Sequence, residues 1–355
     1  MPISTHFAIK PLQEIIMKHS FIPQKHRPEQ VGSKLSTTSQ GALFDFDDAL
    51  FAEHPDQIYS LCIGPRNDRV LQLIDRHIQL SGPIKIVYLD DLLDNWSFVC
   101  RDGNTQFVIH EPYLGNCIID PQLIYYRAGL FDETHPNWSA LHQLSQLLDL
   151  WPKSILCSPL KHNFNNSKPY QMTQSLAKAC QISEKLVDLP ETYIIKGQSA
   201  WKHIQNKDLI VKSLSSCHSD VVDKTVFAAW GQAKLDYLPT LFQSITPGDD
   251  IRVHYFRGHF SAKLIKKQVS SNYRYFSDVK KMQEYSLNQA AKNFCKKVAE
   301  IEDNELLGLD FLLQENGQLI CLEANPGPGW SAFHHDESPL GESFVAHFLR
   351  GLSHD

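Results

Sequence analysis

No apolar run in this 355-residue sequence is long enough to cross a bilayer, and Met1-Pro-Ile-Ser-Thr-His-Phe7 lacks a basic start followed by an apolar stretch. Those absences predict a cytoplasmic protein with no membrane partner. Cysteine pairs are also missing. The eight cysteines (Cys62, Cys100, Cys117, Cys157, Cys180, Cys217, Cys295, Cys321) stand singly, which excludes a dense disulfide framework and argues against structural zinc. Charge of one sign is nowhere massed: 34 Lys and Arg against 40 Asp and Glu leave a net charge of −6. The electrostatic footprint of a tight nucleic-acid binder is therefore absent, and small-molecule or peptide substrates fit better.

What is present reads as an α/β protein of two or three packed subdomains. Residues 1 to about 56 are polar, rich in Ser, Gln, His and Pro, and read as a partly ordered extension. From Gln57 onward, short apolar runs (Ile58–Ile63, Ile84–Leu89, Phe107–His110, Leu123–Tyr126) alternate with helical patterns such as Arg69–Leu80. Leu141, Leu144, Leu147 and Leu148 recur at helical spacing until Trp151-Pro152, which marks a subdomain junction. A helical segment then runs to Lys185, and strands are expected at Tyr193–Ile195 and Leu209–Lys212. Beyond Pro239 the order is strand, hairpin, long helix (Leu287–Ile301), hairpin.

Two hairpins carry chemistry. Asn316-Gly317 between strand-forming runs predicts a two-residue type I′ turn, in which Glu315 faces Gln318. Counting outward places Asp310 opposite Glu323, with Asn325 on the same face and Leu309, Phe311, Leu313, Ile320, Leu322 and Ala324 facing a core. Opposed carboxylates repel unless a cation lies between them, and magnesium suits an oxygen set shared with phosphates. A solvated surface hairpin is the competing reading. In the second hairpin, a turn at Arg257-Gly258 sets Arg252 opposite Lys263, a like-charged pair suited to an intervening anion such as a transferring phosphate. Its competitor is an exposed basic strand face. Lys212 closes its strand before the Ser-rich run Ser213–Ser219, which offers donors to phosphates.

In order along the chain, these pieces resemble the ATP-grasp superfamily, in particular the branch of the ribosomal-protein glutamate ligase and the ligases that macrocyclise microviridin-type peptides. The resemblance spans roughly Leu123 to Trp330, and Leu-Glu323-Ala-Asn325-Pro is its most specific motif. It implies an ATP-grasp α/β fold: an N-terminal extension (1–56), a preceding α/β domain (57–159), and two lobes enclosing ATP (160–240 and 241–355). It also implies that Lys168 and Lys212 hold ATP phosphates and that a linker including Gln243, Ser244 and Ile245 clasps adenine through backbone groups. Arg252, with Lys263 beside it, would contact the transferring phosphate, and Asp310, Glu323 and Asn325 would bind Mg2+. Arg127, ending Leu-Ile-Tyr-Tyr-Arg127, and Trp330 are candidate substrate contacts, and Arg274, in Asn272–Ser277, matches an arginine of relatives. Two segments depart from the family: Ser213–Ser219 has no Gly, and Pro326–His335 lacks the Asn-Pro-x-Gly-Gln-Trp pattern of macrocyclising ligases.

The expected activity is ligation. ATP phosphorylates a substrate carboxylate, and an amine or hydroxyl acceptor, in a peptide precursor or a free amino acid, displaces the phosphate. A small-molecule kinase and a non-catalytic ATP-binding module use the same scaffold. The sequence leaves homo-oligomerisation open. His334-His335 read as surface or substrate-loop residues, Trp330 foremost as a packing anchor, and Tyr125-Tyr126 as core.

Overall fold

The computed structural model describes residues 59–78, 84–89, 96–101, 104–111, 115–119, 121–127, 138–159, 161, 165–183, 186–212, 214, 219–221, 239–266 and 282–353. The expected extension over 1–56, most of Ser213–Ser219, and Arg274 with its segment lie outside the described residues. Among the described residues no helix is long and apolar enough to cross a membrane.

The first sheet is parallel. It contains β1 (Ser60–Gly64), β2 (Ile84–Tyr88), β6 (Leu123–Tyr126) and β7 (Ser154–Leu156), in the order β2-β1-β6-β7. Every residue of β1 and β6 is buried, as expected when both faces of a parallel sheet are covered. One face carries Leu61, Ile63, Ile124 and Tyr126 against Leu141, Leu144 and Leu148 of the helix α2 (Trp138–Leu148). The other carries Cys62, Leu123 and Tyr125 against α1 (Arg69–His77) and the C-terminal helix α8 (Phe344–Ser353). Between β2 and β6 lies an antiparallel meander of β3 (Trp96–Arg101), β4 (Asn104–Glu111) and β5 (Gly115–Ile119).

The helical segment expected before Lys185 is broken in character. It begins as α3 (Lys168–Tyr170), widens into a π-helical stretch at Gln171–Ser175, and resumes as α4 (Leu176–Cys180). Such widening is rare and turns side chains that a regular α-helix would aim elsewhere. A short strand β8 (Val187–Asp188) follows. The second sheet is antiparallel, with β9 (Thr192–Ile195), β10 (Leu209–Lys212), β11 (Ser219–Val221) and β12 (Thr240–Ser244) in the order β11-β10-β12-β9. Its inner face buries Leu209 and Phe242 with Ile204, and α5 (Gln198–Trp201) supplies Trp201.

The third sheet holds β13 (Asp249–Phe256), β14 (His259–Ile265), β15 (Met282–Glu284), β16 (Leu306–Leu313) and β17 (Leu319–Asn325), in the order β15-β14-β13-β16-β17-β8. Ile251, Val253, Leu309, Phe311, Leu319 and Cys321 pack on α6 (Gln289–Glu302), whose first turn is capped by the Asn288 side chain. The opposite face, through Phe256 and Leu306, joins the core around α8 and Trp330.

Of the two expected two-residue turns, one forms and the other does not. At Arg257-Gly258 both residues have positive φ (44° and 90°) and Phe256 faces His259, so this is the type I′ turn, in the expected register. At Asn316-Gly317 only Gly317 has positive φ (81°); Gln314 N–H bonds Gln318 O, leaving a three-residue loop. That loop shifts the ladder by one, so Leu313 faces Leu319 and Phe311 faces Cys321. A bulge then skips Leu322 and restores the pairing of Asp310 with Glu323. The expected apolar face is corrected accordingly: Leu319 and Cys321, rather than Ile320 and Leu322, join the core beneath α6.

Candidate active site

Because cross-strand partners share a face, the register of the third sheet draws one rung of charge across five strands: Glu284, Lys263, Arg252, Asp310 and Glu323. The two like-charged pairs expected from sequence are both present. They are also compensated by each other. Arg252 Nη1 donates to Asp310 Oδ1 at 2.8 Å, with both side chains about 7% exposed. Lys263 pairs with Glu284 and, at 3.0 Å, with Glu337. Beyond the rung's far end, Lys168 Nζ donates to Glu323 Oε2 at 3.0 Å. Cations and carboxylates thus alternate in pairs, and the buried charges each have a partner of opposite sign, with the exposed Glu284 at the rung's end.

Asn325 stands opposite Gly308, two residues from Glu323, and its Oδ1 accepts from Gly327 N–H at 2.9 Å. Gly308 also faces His254. A Cβ there would lie 2.4 Å from Arg252 Nη2 and 2.7 Å from Pro328 Cβ, so the guanidinium rests in the space a side chain would fill. Sequence reasoning did not single out Gly308, His254, Glu284, Glu337 or Gln171. The first two were discoverable, since alternation puts His254 beside Arg252 and Gly308 opposite it. Gln171 was not, because its direction depends on the π-helical stretch. Its Nε2 donates to Ala324 O (2.5 Å) and Asn165 O (2.7 Å) while its Oε1 accepts from Ala324 N–H (3.2 Å). This clamps the backbone between Glu323 and Asn325, where β8 no longer pairs with β17.

The remaining candidates separate into those the structure gathers and those it does not. Lys168 and Lys212 are both buried, and the Lys168 N–H reaches Leu214 O at 3.5 Å, so the two segments adjoin. On the second sheet, Lys212, Leu241 and Ile194 share a face with Ile210, Gln243 and Thr192. Of the segment expected to clasp adenine through backbone groups, Gln243 lies within a strand paired on both sides, Ser244 N–H bonds Glu191 O, and Ile245 N–H bonds Asp208 O. Instead, the Gln243 side chain donates to Thr192 Oγ1 at 3.2 Å, and its buried Oε1 has no partner among the described residues.

Arg127 is held on several sides by protein. It donates to Asp68 Oδ2 at 3.0 and 3.1 Å and to the carbonyls of Gly327 (3.1 Å) and Pro328 (2.9 Å), so it pins the loop after β17 to the first sheet. Trp330 is fully buried among Phe344 and Phe348, with ring centroids at 5.7 and 4.9 Å, which makes it a packing anchor. His334 is corrected: it belongs to α7 (Ser331–His334) and is 1% exposed, whereas His335 is exposed.

The same residues are the donors available to a nucleotide and its metal. Among the described residues no group of three or more His, Cys, Asp or Glu could hold a metal ion. Two carboxylates and an amide oxygen nevertheless suit Mg2+, which keeps waters and takes phosphate oxygens for the rest of its sphere. An unpartnered buried Gln243 Oε1 suits a donor such as an exocyclic amine. The residues present fit the group.

No protein-family model matches the sequence, and no curated protein matches it significantly. Solved structures do match. A Chryseobacterium gregarium RiPP-associated ATP-grasp ligase, in complex with ADP and a leader and core peptide, superposes with a TM-score of 0.68 at 14% identity, covering 83% of this chain and 96% of that one. The ATP-grasp ligase PsnB complexed with minimal precursor, Mg and ADP gives 0.64 at 16% identity, covering 84% and 98%. The macrocyclase MdnC bound with precursor peptide MdnA, from Microcystis aeruginosa MRC, gives 0.64 at 15% identity, covering 83% and 100%. Together with the sheets described above, these likenesses establish that the chain has the ATP-grasp fold.

Proposed function

We propose that this protein is an ATP-dependent ligase that joins a carboxylate to an amine or hydroxyl through an acyl phosphate, acting on a peptide substrate. The observation that carries this reading is the buried rung Lys263–Arg252–Asp310–Glu323, extended by Lys168 and Asn325. Peptide substrates are favoured over free amino acids because three neighbours of this fold are described with leader, core or precursor peptides.

In this reading residues 57–159 precede the nucleotide lobes at 160–240 and 241–355. Asp310, Glu323 and Asn325 would hold Mg2+, which neutralises phosphate charge. Lys168 and Lys212 draw the phosphates between the lobes, and Gln243 Oε1 accepts from the base. Arg252, with Lys263 beside it, stabilises charge on the phosphoryl group as a substrate carboxylate oxygen attacks phosphorus and ADP departs. The acceptor then attacks the acyl carbon and phosphate leaves. Binding requires Arg252 and Lys168 to share their carboxylates, so the salt bridges hold the charged groups in register beforehand.

The test supplies MgATP and a candidate precursor peptide encoded near the gene, rich in Thr, Ser or Lys and in Asp or Glu. ADP and free phosphate should form, and the peptide should lose the mass of one water per bond. Asp310→Ala combined with Glu323→Ala should abolish both. Phosphate retained on the product would select a kinase, and unchanged ADP formation in the double variant would overturn the metal assignment.

A further inference from the structure

Arg252 and Lys263 face each other across β13 and β14, and a second connection joins them on the same face of the sheet. Arg252 Nε donates to His254 Nε2 at 3.2 Å. That bond makes His254 Nε2 an acceptor, so the ring proton sits on Nδ1, which is 2.8 Å from His334 Nε2. His334 therefore accepts at Nε2 and carries its own proton on Nδ1, 2.6 Å from Glu337 Oε1. The same oxygen accepts from Lys263 Nζ at 3.0 Å. Glu337 Oε2 receives the amides of Phe344 (3.0 Å) and Val345 (3.4 Å) at the start of α8. Each donor meets an acceptor with neither imidazole charged, and reversing either ring would set two donors or two acceptors against each other.

We propose that His254, His334 and Glu337 are positioning residues: a one-directional hydrogen-bond relay that fixes the guanidinium of Arg252 relative to the ammonium of Lys263 for phosphoryl transfer. This role rests on the ligase reading above. Burial supports the neutral state: it drives the pKa of His254 well below its ordinary value, with Arg252, His334 and Lys263 adding to the effect. It lowers that of His334 as well, against the opposing pull of Glu337. Burial alone would raise the pKa of Glu337, but the hydrogen bonds from His334 and Lys263 and the charge of Lys263 hold it below its ordinary value, so Glu337 stays ionised. The rings are also fixed laterally, His334 stacking on Phe344 at 4.6 Å and His254 edge-on to Phe333 at 5.1 Å. Groups that orient a functional side chain in this way commonly change activity by about 10- to 100-fold when removed.

Two variants separate the relay from the single contact. His254→Leu leaves Arg252 Nε without its acceptor; His254→Gln keeps an acceptor for Arg252 but ends the chain to His334. With MgATP and the precursor peptide, His254→Leu should lower kcat by about 10- to 100-fold while KM for ATP stays within about threefold, and His254→Gln should recover part of the loss. Long-range proton–nitrogen correlation spectra of histidine-labelled wild-type protein, assigned with these variants, should show both rings neutral and protonated on Nδ1 at pH 7. A protonated Nε2 on either ring, or a kcat unchanged in His254→Leu, would overturn the relay. Absence of MgATP-dependent ADP formation in the wild type would instead overturn the ligase reading, and the catalytic role with it, while the spectra still test the hydrogen-bond geometry.

Discussion

Gly308 lacks a side chain where the Arg252 guanidinium needs the space, and one methyl group there would also press on Pro328. Gly308→Ala should therefore leave the protein folded but displace Arg252, lowering ADP formation about tenfold or more, with a strain penalty of about 1–3 kcal/mol visible in chemical denaturation. A different residue-scale prediction concerns Glu302, buried at the end of α6, where Ser175 Oγ donates to its Oε1 at 2.7 Å. Burial raises its pKa from 4.5 to about 7, only partly offset by Ser175. The folded state thus holds the proton more tightly than the unfolded chain. Stability from this group is full below the ordinary value and is lost as pH rises towards 7. Relative to Glu302→Gln, the wild type should lose up to about 3 kcal/mol between pH 5 and pH 8, measured by urea unfolding at each pH. Residues of this kind differ in legibility. Asp310, Glu323 and Arg252 could be named from strand pattern and motif, whereas the burial of Glu302 follows from packing between distant segments.

Elements were legible where the periodicity was local. The strands around residues 60, 84, 123 and 209, the helices after Arg69 and Trp138, and α6 all follow apolar spacing and capping. Turn type was less so. Asn316-Gly317 carries the stronger type I′ signal, yet the Asn316 side chain instead accepts from Gln318 N–H at 3.0 Å and favours the longer loop. The Asp310–Glu323 pairing holds because a loop shift and a bulge cancel, and a count outward from the turn cannot see that cancellation. The π-helical stretch was not legible at all, since its sequence Gln171–Ser175 carries no break residue. Its main consequence is the Gln171 clamp. Gln171→Ala should leave Ala324 N–H and O without this partner at a cost of about 2–3 kcal/mol. Hydrogen exchange should accelerate at Ala324, and MgADP binding should weaken.

At the scale of the whole molecule, Arg127 and α8 tie the first sheet to the third. Arg127 reaches from the end of β6 to the Asp68 cap of α1 and to two carbonyls some 200 residues later. Arg127→Ala leaves Asp68 and those carbonyls without this partner and should destabilise the protein by about 3–5 kcal/mol in urea titration. Asp68→Asn keeps a neutral acceptor and should cost less. In this arrangement the Arg127 guanidinium holds the backbone at Gly327 and Pro328.

The return of α8 has a consequence for how the chain matures. Phe348 packs edge-on against Tyr125 at 5.2 Å, and Ser60 Oγ donates to Leu352 O. The face of the first sheet formed by residues 60–126 is therefore finished by residues 344–353. Until residues 344–353 have been made, that apolar face has no cover from this helix. Once docked, the same helix receives Glu337 at its first turn. Covering of the first sheet and placement of Glu337 in the Arg252 relay thus depend on the same helix.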